Sequence, residues 1–345
     1  MAEKSELDET PMYGGQAVIE GVMMRSPRYA SVAVRRPNGQ IVVRTEPLVT
    51  FAMRHKWARW PFIRGTFALI EAFTLGLWSL NYSAEIAMEA EPREVAAGEP
   101  APEPSKPLSP WAFAGTMVLA LALGTALFVL APSWVTDLVV HTPPAVGPAR
   151  VLDGVIPGGV RADVVKNLVE GLLRLLIIIG YIAGVSLLGQ IRRVFEYHGA
   201  EHKVIHAYEA VGRPDGSAAR GESPLHPRCG TAFVLVVVVV KVIVNLFLGW
   251  PHVLVRSLLR IAVLPIVAGL AYEIIRFAGR HKGSAVLRGI LAPSLWLQRL
   301  TTREPDESQL EVAVAALEAV RAAEEGRAPV ADADAAPAGG QTPCR

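Results

Sequence analysis

Charge is scarce in this chain. Only 19% of its 345 residues are Asp, Glu, Lys or Arg, against roughly 25% in an average soluble domain. Hydrophobic residues make up 51%, and the mean hydropathy is +0.33. Such a balance excludes a disordered chain and argues against an ordinary soluble enzyme. Cysteine is scarcer still. Cys229 and Cys344 cannot build a disulfide framework, so a reducing compartment is expected. No run of Lys and Arg with interleaved aromatics occurs, so nucleic acid is not an expected partner. The first residues, MAEKSELDETPM, are polar, and no secretory signal peptide is expected.

What is present is apolar and clustered. Residues 111–131 carry no charge and are long enough to cross a bilayer. Residues 167–191 form a second candidate span, with Glu170 and Arg174 at helical i,i+4 spacing. Residues 230–250 are apolar except for Lys241 and Asn245, and 257–277 form a fourth candidate in which Pro265 should introduce a kink. Lys and Arg are dense at 25–64 and 192–229 and sparse at 132–166. By the positive-inside tendency both termini are cytoplasmic and 132–166 is an external loop. The expected place is therefore a bacterial cytoplasmic (inner) membrane, with the lipid bilayer as partner and an oligomer compatible with four spans.

The remaining segments are soluble in character. Residues 1–12 should be disordered. Within 13–50, YASVAVR and IVVRTEPL flank an Asn38-Gly39 turn, which predicts a small cytoplasmic β-hairpin. Residues 51–88 mix Arg, Lys and Trp and then turn apolar over 66–80, as interfacial, re-entrant or buried helices do. Residues 89–110 are a Pro/Glu/Ala linker. Residues 278–325 include SQLEVAVAALEAVRAAEEG, which predicts an amphipathic cytoplasmic helix, and 326–345 should be a disordered tail. The fold class is thus mainly α, a multi-span helical membrane protein with a small N-terminal β element.

Chemistry concentrates in EYHGAEHKVIHAYE. His198, His202 and His206 recur every four residues, so one helical face presents three imidazoles with Glu209 inside the same arc. His226 and Cys229 follow in LHPRCG. Imidazole and thiolate are both zinc ligands. His198-Gly199-Ala200-Glu201-His202 also matches H-x-x-E-H, in which both histidines bind zinc and the glutamate acts as base. The plainer alternative is an interfacial helix whose histidines face water. GGQAVIEGVMMR, with Glu20 and Arg25, reads from composition as a structural turn before the hairpin, since it matches no nucleotide-binding loop. Lys241 should face the interior of the helix bundle, paired with Glu273 as a structural lock or lining a polar path, and His252 reads as interfacial.

In order, GGQAVIEGVMMR, Arg64-Gly65, FEYHGAEHKVIHAYE, HPRCGTAF, PIVAGLAYEI and LQRLTTREPDESQLEVAVAAL resemble the YqhQ-like bacterial membrane protein family, domain of unknown function 1385. The resemblance runs from about Met12 to Leu317. It implies metal dependence and no established reaction. The motif positions it carries over are Gln16, Glu20, Arg25, His198, Glu201, His202, Cys229 and Glu273. His206 belongs to the motif less firmly, and the GTAF after the cysteine departs slightly from the pattern. Glu20 becomes a catalytic candidate on this ground.

Three functions follow as expectations. The first is a membrane-embedded, metal-dependent hydrolase with a divalent cation, zinc by ligand type, on His198, His202 and Cys229. His226 or His206 would complete the set, Glu201 would be the base, and the substrate would be membrane-associated. The second is a non-enzymatic scaffold or assembly factor held by a structural metal or a His–carboxylate network. The third is a small transporter component, suggested by Lys241, Glu273 and the segment 66–80.

Overall fold

The structure is a computed structural model and describes residues 13–88, 110–140, 158–226, 229–280 and 285–327. The segments expected to be disordered lie outside those residues apart from 326–327, and so does the linker apart from its last position.

Near the start of the chain lies an antiparallel sheet of β1 (Gly14–Val18), β2 (Gly21–Arg25), β3 (Tyr29–Arg35) and β4 (Ile41–Pro47), paired in chain order. The expected hairpin is β3–β4, with Arg35 opposite Ile41 across the Asn38-Gly39 turn. The reading of GGQAVIEGVMMR as a mere turn needs correction, because it is itself the hairpin β1–β2. Val18 faces Gly21 across Ile19-Glu20, and Glu20 takes φ 51° there. Side chains alternate along each strand. Val22, Met24 and Ala33 point to one face; Met23, Ala30, Val32 and Val34 point to the other. Both faces are covered, which explains the nearly unbroken apolar text of β3.

The second face is covered by α2 (Ile63–Ala87), which follows the short α1 (Phe51–Arg54) and a 3₁₀ turn, Lys56–Arg59. Tyr82 and Ile86 of α2 join the core of that face. The apolar stretch 66–80 is thus the middle of one 25-residue helix that packs on the sheet and on a bundle helix.

The bundle begins with α3 (Pro110–Thr125), widens through a π-helical turn at Ala126–Leu130 and continues as α4 (Ala131–Val139). Then come α5 (Gly158–Val185), α6 (Gly189–Val211), α7 (Gly216–Arg220), α8 (Thr231–Leu248), α9 (Val253–Ala262), α10 (Leu264–Arg280), α11 (Ala285–Thr301) and α12 (Glu307–Glu324). Two stretches, Gly115–Val139 and Ala162–Val185, are long and apolar enough to cross a membrane. A third is reached if α9 and α10, bent by 43°, count as one, and Phe233–Leu248 of α8 is a shorter apolar helix. The expected external loop 132–166 is partly helical: α4 ends at Val139 and α5 starts at Gly158. The second expected span breaks at 186–188, between α5 and α6. The α9–α10 break falls at Val263, two residues before Pro265, whose ring cannot donate to the helical ladder.

The predicted amphipathic helix is α12. Asp306 caps it by accepting from the Gln309 N–H, and the Gln309 side chain returns a bond to the Asp306 N–H. Its face of Leu310, Ala313, Ala316, Leu317 and Val320 packs on the first face of the sheet together with α6. Helix α6 lies beside α12 on that sheet face, and together they form a cap: Tyr197, Ala200, Val204 and Ala207 share its core.

Candidate metal centre

Crowding on α6 places the histidines. From Tyr197 to Tyr208 almost every residue is buried, because the sheet, α7, α12 and two irregular segments surround the helix. One segment, 301–305, crosses α6 at Gly199. A Cβ there would lie 1.9 Å from the Arg303 carbonyl oxygen, so only glycine admits this approach. The Arg303 N–H donates to the Phe195 carbonyl at 2.9 Å, pinning the crossing. The other segment, 223–226, runs along the opposite side of the histidine face.

Each segment supplies a carbonyl to one imidazole. His198 Nδ1 lies 2.8 Å from the Thr301 oxygen, and His202 Nδ1 lies 2.5 Å from the Pro224 oxygen. A carbonyl only accepts, so both Nδ1 atoms carry the proton and both Nε2 atoms present lone pairs. His198 Nε2 is 3.2 Å from Cys229 Sγ. His202 Nε2 is buried and has no hydrogen-bond partner among the described residues. The ligand atoms of His198, His202 and Cys229 all lie within 4.8 Å of one another. Cys229 stands just before α8, where the Thr231 N–H and hydroxyl approach its sulfur at 3.4 and 3.2 Å.

The other expected ligands stand beside this group. His206 Nε2 donates to the Leu225 carbonyl at 3.0 Å, and its ring meets that of His226 at 4.5 Å. The His226 backbone is clamped at both ends by the buried amide of Gln298 on α11, at 2.9 Å each way. Its Nε2 lies 4.0 Å from Glu209. Ring centroids step from His198 to His202 (4.4 Å), to His226 (5.6 Å) and to His206 (4.5 Å), so four imidazoles form one row with the thiol at its end.

Glu201 lies on the flank of α6 that meets β1. The Gly15 N–H bonds its carboxylate, and a Cβ on Gly15 would lie 2.9 Å from Glu201 Cδ, so the strand needs glycine there. Burial pushes this carboxyl up to about 7, opposed by the neighbouring His198 and the Gly15 bond. Its Oε2 has no partner among the described residues.

The remaining motif residues are dispersed. Glu20 is engaged by Arg193, with one contact at 2.7 Å, and by the Tyr197 hydroxyl at 3.3 Å. Gln16 packs against Gly76 of α2, where its amide oxygen would lie 2.9 Å from an added Cβ. Glu273 of α10 takes Arg64 at 2.6 and 2.5 Å and the Phe62 N–H at 3.3 Å, which joins α2 to the bundle. The expected Lys241–Glu273 pair does not form, because Arg64 occupies that carboxylate. Sequence reasoning missed Thr301, Pro224 and Gln298. The first two act through backbone oxygens, which leave no mark in a sequence. Gln298, a buried amide in LQRLTT, did.

A nitrogen–nitrogen–sulfur triad with both imidazoles oriented from behind fits a borderline-soft divalent cation. The Thr301 and Pro224 carbonyls already hold the two rings, and His202 Nε2 is buried without a hydrogen-bond partner among the described residues.

Two comparisons bear on this geometry. A family model described as "Protein of unknown function (DUF1385)" matches residues 60–323. "Uncharacterized protein YqhQ" of Bacillus subtilis (strain 168) is 33% identical over 305 residues, covering 88% of this chain and 90% of the relative. No solved structure matches.

Proposed function

The chain belongs to the DUF1385 family, and from that premise we propose that it is a multi-pass protein of the cytoplasmic membrane whose cap holds a divalent cation, most simply as a metal-dependent hydrolase. His198 Nε2, His202 Nε2 and Cys229 Sγ are the ligands, and zinc is favoured by the nitrogen and sulfur donors. The observation that carries this reading is the pair of Nδ1–H···O=C bonds to Thr301 and Pro224, which turn two Nε2 lone pairs toward one thiol. A bound divalent cation would supply Lewis-acid chemistry.

The chain's own groups then divide the work. Thr301 and Pro224 hold the imidazole planes. Glu201, with a buried and unpartnered Oε2 beside the ligand helix, is the proton-accepting residue of this reading. The membrane reading is supported by the two long apolar helices and by their outward side chains: Val118, Leu119, Leu123, Leu172 and Leu176 are all exposed. Cys229 stands at the start of α8, so the site would lie where cap meets bilayer and suit a membrane-associated substrate.

A second reading has its own observation. The centre ties α6, residues 223–226, Cys229 and the end of α11 together, which is what a structural metal in a scaffold does. Elemental analysis of the detergent-purified chain, beside a His198→Ala/His202→Ala double variant, tests the shared premise. About one cation per chain, lost in the variant, is expected; no stoichiometric metal after reconstitution without chelator refutes it. Cobalt substitution separates the two readings. A visible spectrum that shifts on adding an exogenous ligand marks an open catalytic position, and an inert spectrum marks a closed structural one.

A further inference from the structure

Away from the cap, the apolar helices bury an unusual amount of charge. Glu170 and Arg174 of α5, Lys241 and Asn245 of α8, and Arg256 and Arg260 of α9 are all at most 3% exposed. Most of these charges are answered. Glu170 pairs with both Arg174 and Arg260, and Asp137 of α4 pairs with Arg256. The Trp250 ring lies 4.2 Å from the Arg256 guanidinium and 4.8 Å from that of Arg260. Arg260 also donates to Asn167, and Arg174 Nε donates to the Phe128 carbonyl in the π-helical turn. Asp163 accepts from the Trp250 N–H, with Lys166 near the same ring. Among the described residues, the cations Arg174, Arg256 and Arg260 pair with two carboxylates, Glu170 and Asp137, and Lys241 pairs with neither.

The unmet charge gathers between α5 and α8. Lys241 Nζ and Arg174 Nη1 are buried without a hydrogen-bond partner among the described residues. So is Oδ1 of Asn245, which lies one turn along α8 from Lys241. An amide flip exchanges that oxygen for an NH₂ donor. The two helices approach closely here: a Cβ on Gly171 would lie 2.4 Å from Val242 Cγ2. Arg174 lies three residues along α5 from Gly171, and Lys241 immediately precedes Val242 on α8, so this approach brings the two cations' positions together. A buried ammonium beside a guanidinium, with no carboxylate paired to it among the described residues, is costly, and a compact anion removes that cost.

We propose that Lys241, Arg174 and Asn245 form an anion-binding site inside the helix bundle, separate from the metal centre. The ligand presents acceptor lone pairs and carries one or two negative charges, which is the chemistry of a halide or a phosphate. A phosphate could arrive free or as a lipid headgroup, so the test separates these sources.

The full chain, purified in detergent, is equilibrated with radiolabelled chloride or inorganic phosphate, and phospholipid retained through detergent washing is measured as organic phosphorus. Saturable binding of one of these is expected. It should weaken by about tenfold or more in Lys241→Gln and persist in Lys241→Arg. Retained organic phosphorus that is lost in Lys241→Gln assigns the anion to a headgroup, and binding of the free ions assigns it to solution. Asn245→Leu, expected to weaken binding as well, serves if Lys241→Gln does not elute as a monodisperse protein. The proposal is overturned if none of the three anions is held by the wild type, or if both the Lys241→Gln and Asn245→Leu variants hold it equally well. The outcome does not depend on metal content, so failure of the metal reading leaves this test intact.

Discussion

Replacing Gly199 by alanine sets helix propensity against tertiary contact. In a solvated helix the change would stabilise α6 by about 1 kcal/mol. In this cap the new methyl would lie 1.9 Å from the Arg303 carbonyl oxygen and 3.1 Å from its carbon. Both neighbours are backbone, and the crossing is anchored one turn away by the Arg303–Phe195 hydrogen bond. To reach even 3.0 Å the carbonyl must retreat by about 1 Å, and forcing such a shift costs about 1–3 kcal/mol. The net effect on stability is then a loss of about 0–2 kcal/mol. The effect on the centre is larger. Thr301 is two residues upstream on the same segment, and its carbonyl holds His198 Nδ1 at 2.8 Å. Losing an outer-shell partner of a ligating histidine lowers metal affinity about 10–100-fold. Competition with a chromophoric chelator, read beside thermal unfolding, measures both quantities in one preparation. A Gly199→Ala protein that binds zinc as the wild type does, and melts higher, would refute the argument that the crossing segment orients His198.

Two further outcomes test the packing. Glu170→Gln leaves Arg174 and Arg260 buried without their shared carboxylate and should cost about 3–5 kcal/mol; an unchanged unfolding midpoint in detergent would mean that these charges reach water. Asp306→Ala removes the side-chain half of the α12 capping box, the acceptor of the Gln309 N–H, and should cost about 0.5–2 kcal/mol. Amide exchange should then accelerate in the first turn of α12, and equal protection in both proteins would deny the cap its role.

The histidine face was legible because its period is local. Four-residue spacing places His198, His202 and His206 on one side of any helix, and α6 is that helix. The α12 amphipathic pattern and the Asn38-Gly39 hairpin were legible for the same reason. The β1–β2 hairpin was not, because Gly14 and Gly15 read as turn residues. Gly15 is a strand residue instead, and it is glycine because Glu201 packs against it. The two-residue Ile19-Glu20 connection between short apolar runs was the available signal. The Lys241–Glu273 pair failed on a different ground. Helical position shows that a charge faces inward, but not which opposite charge arrives first, and Arg64 on α2 does.

Composition and periodicity alone determined that this chain is mainly helical, that several of its helices are too apolar for water, and that imidazoles and a thiol share one neighbourhood. Tertiary structure decided the rest. It brought His198, His202 and Cys229 together out of five candidate ligands, placed a carbonyl beside the Nδ1 of both imidazoles, covered the sheet on both faces and left Lys241 without a counter-charge among the described residues. The physical reason is that these choices rest on partners distant in sequence, such as the Thr301 carbonyl 103 residues from His198. Every residue carries a backbone carbonyl, so its identity as an acceptor is written only in where the chain passes.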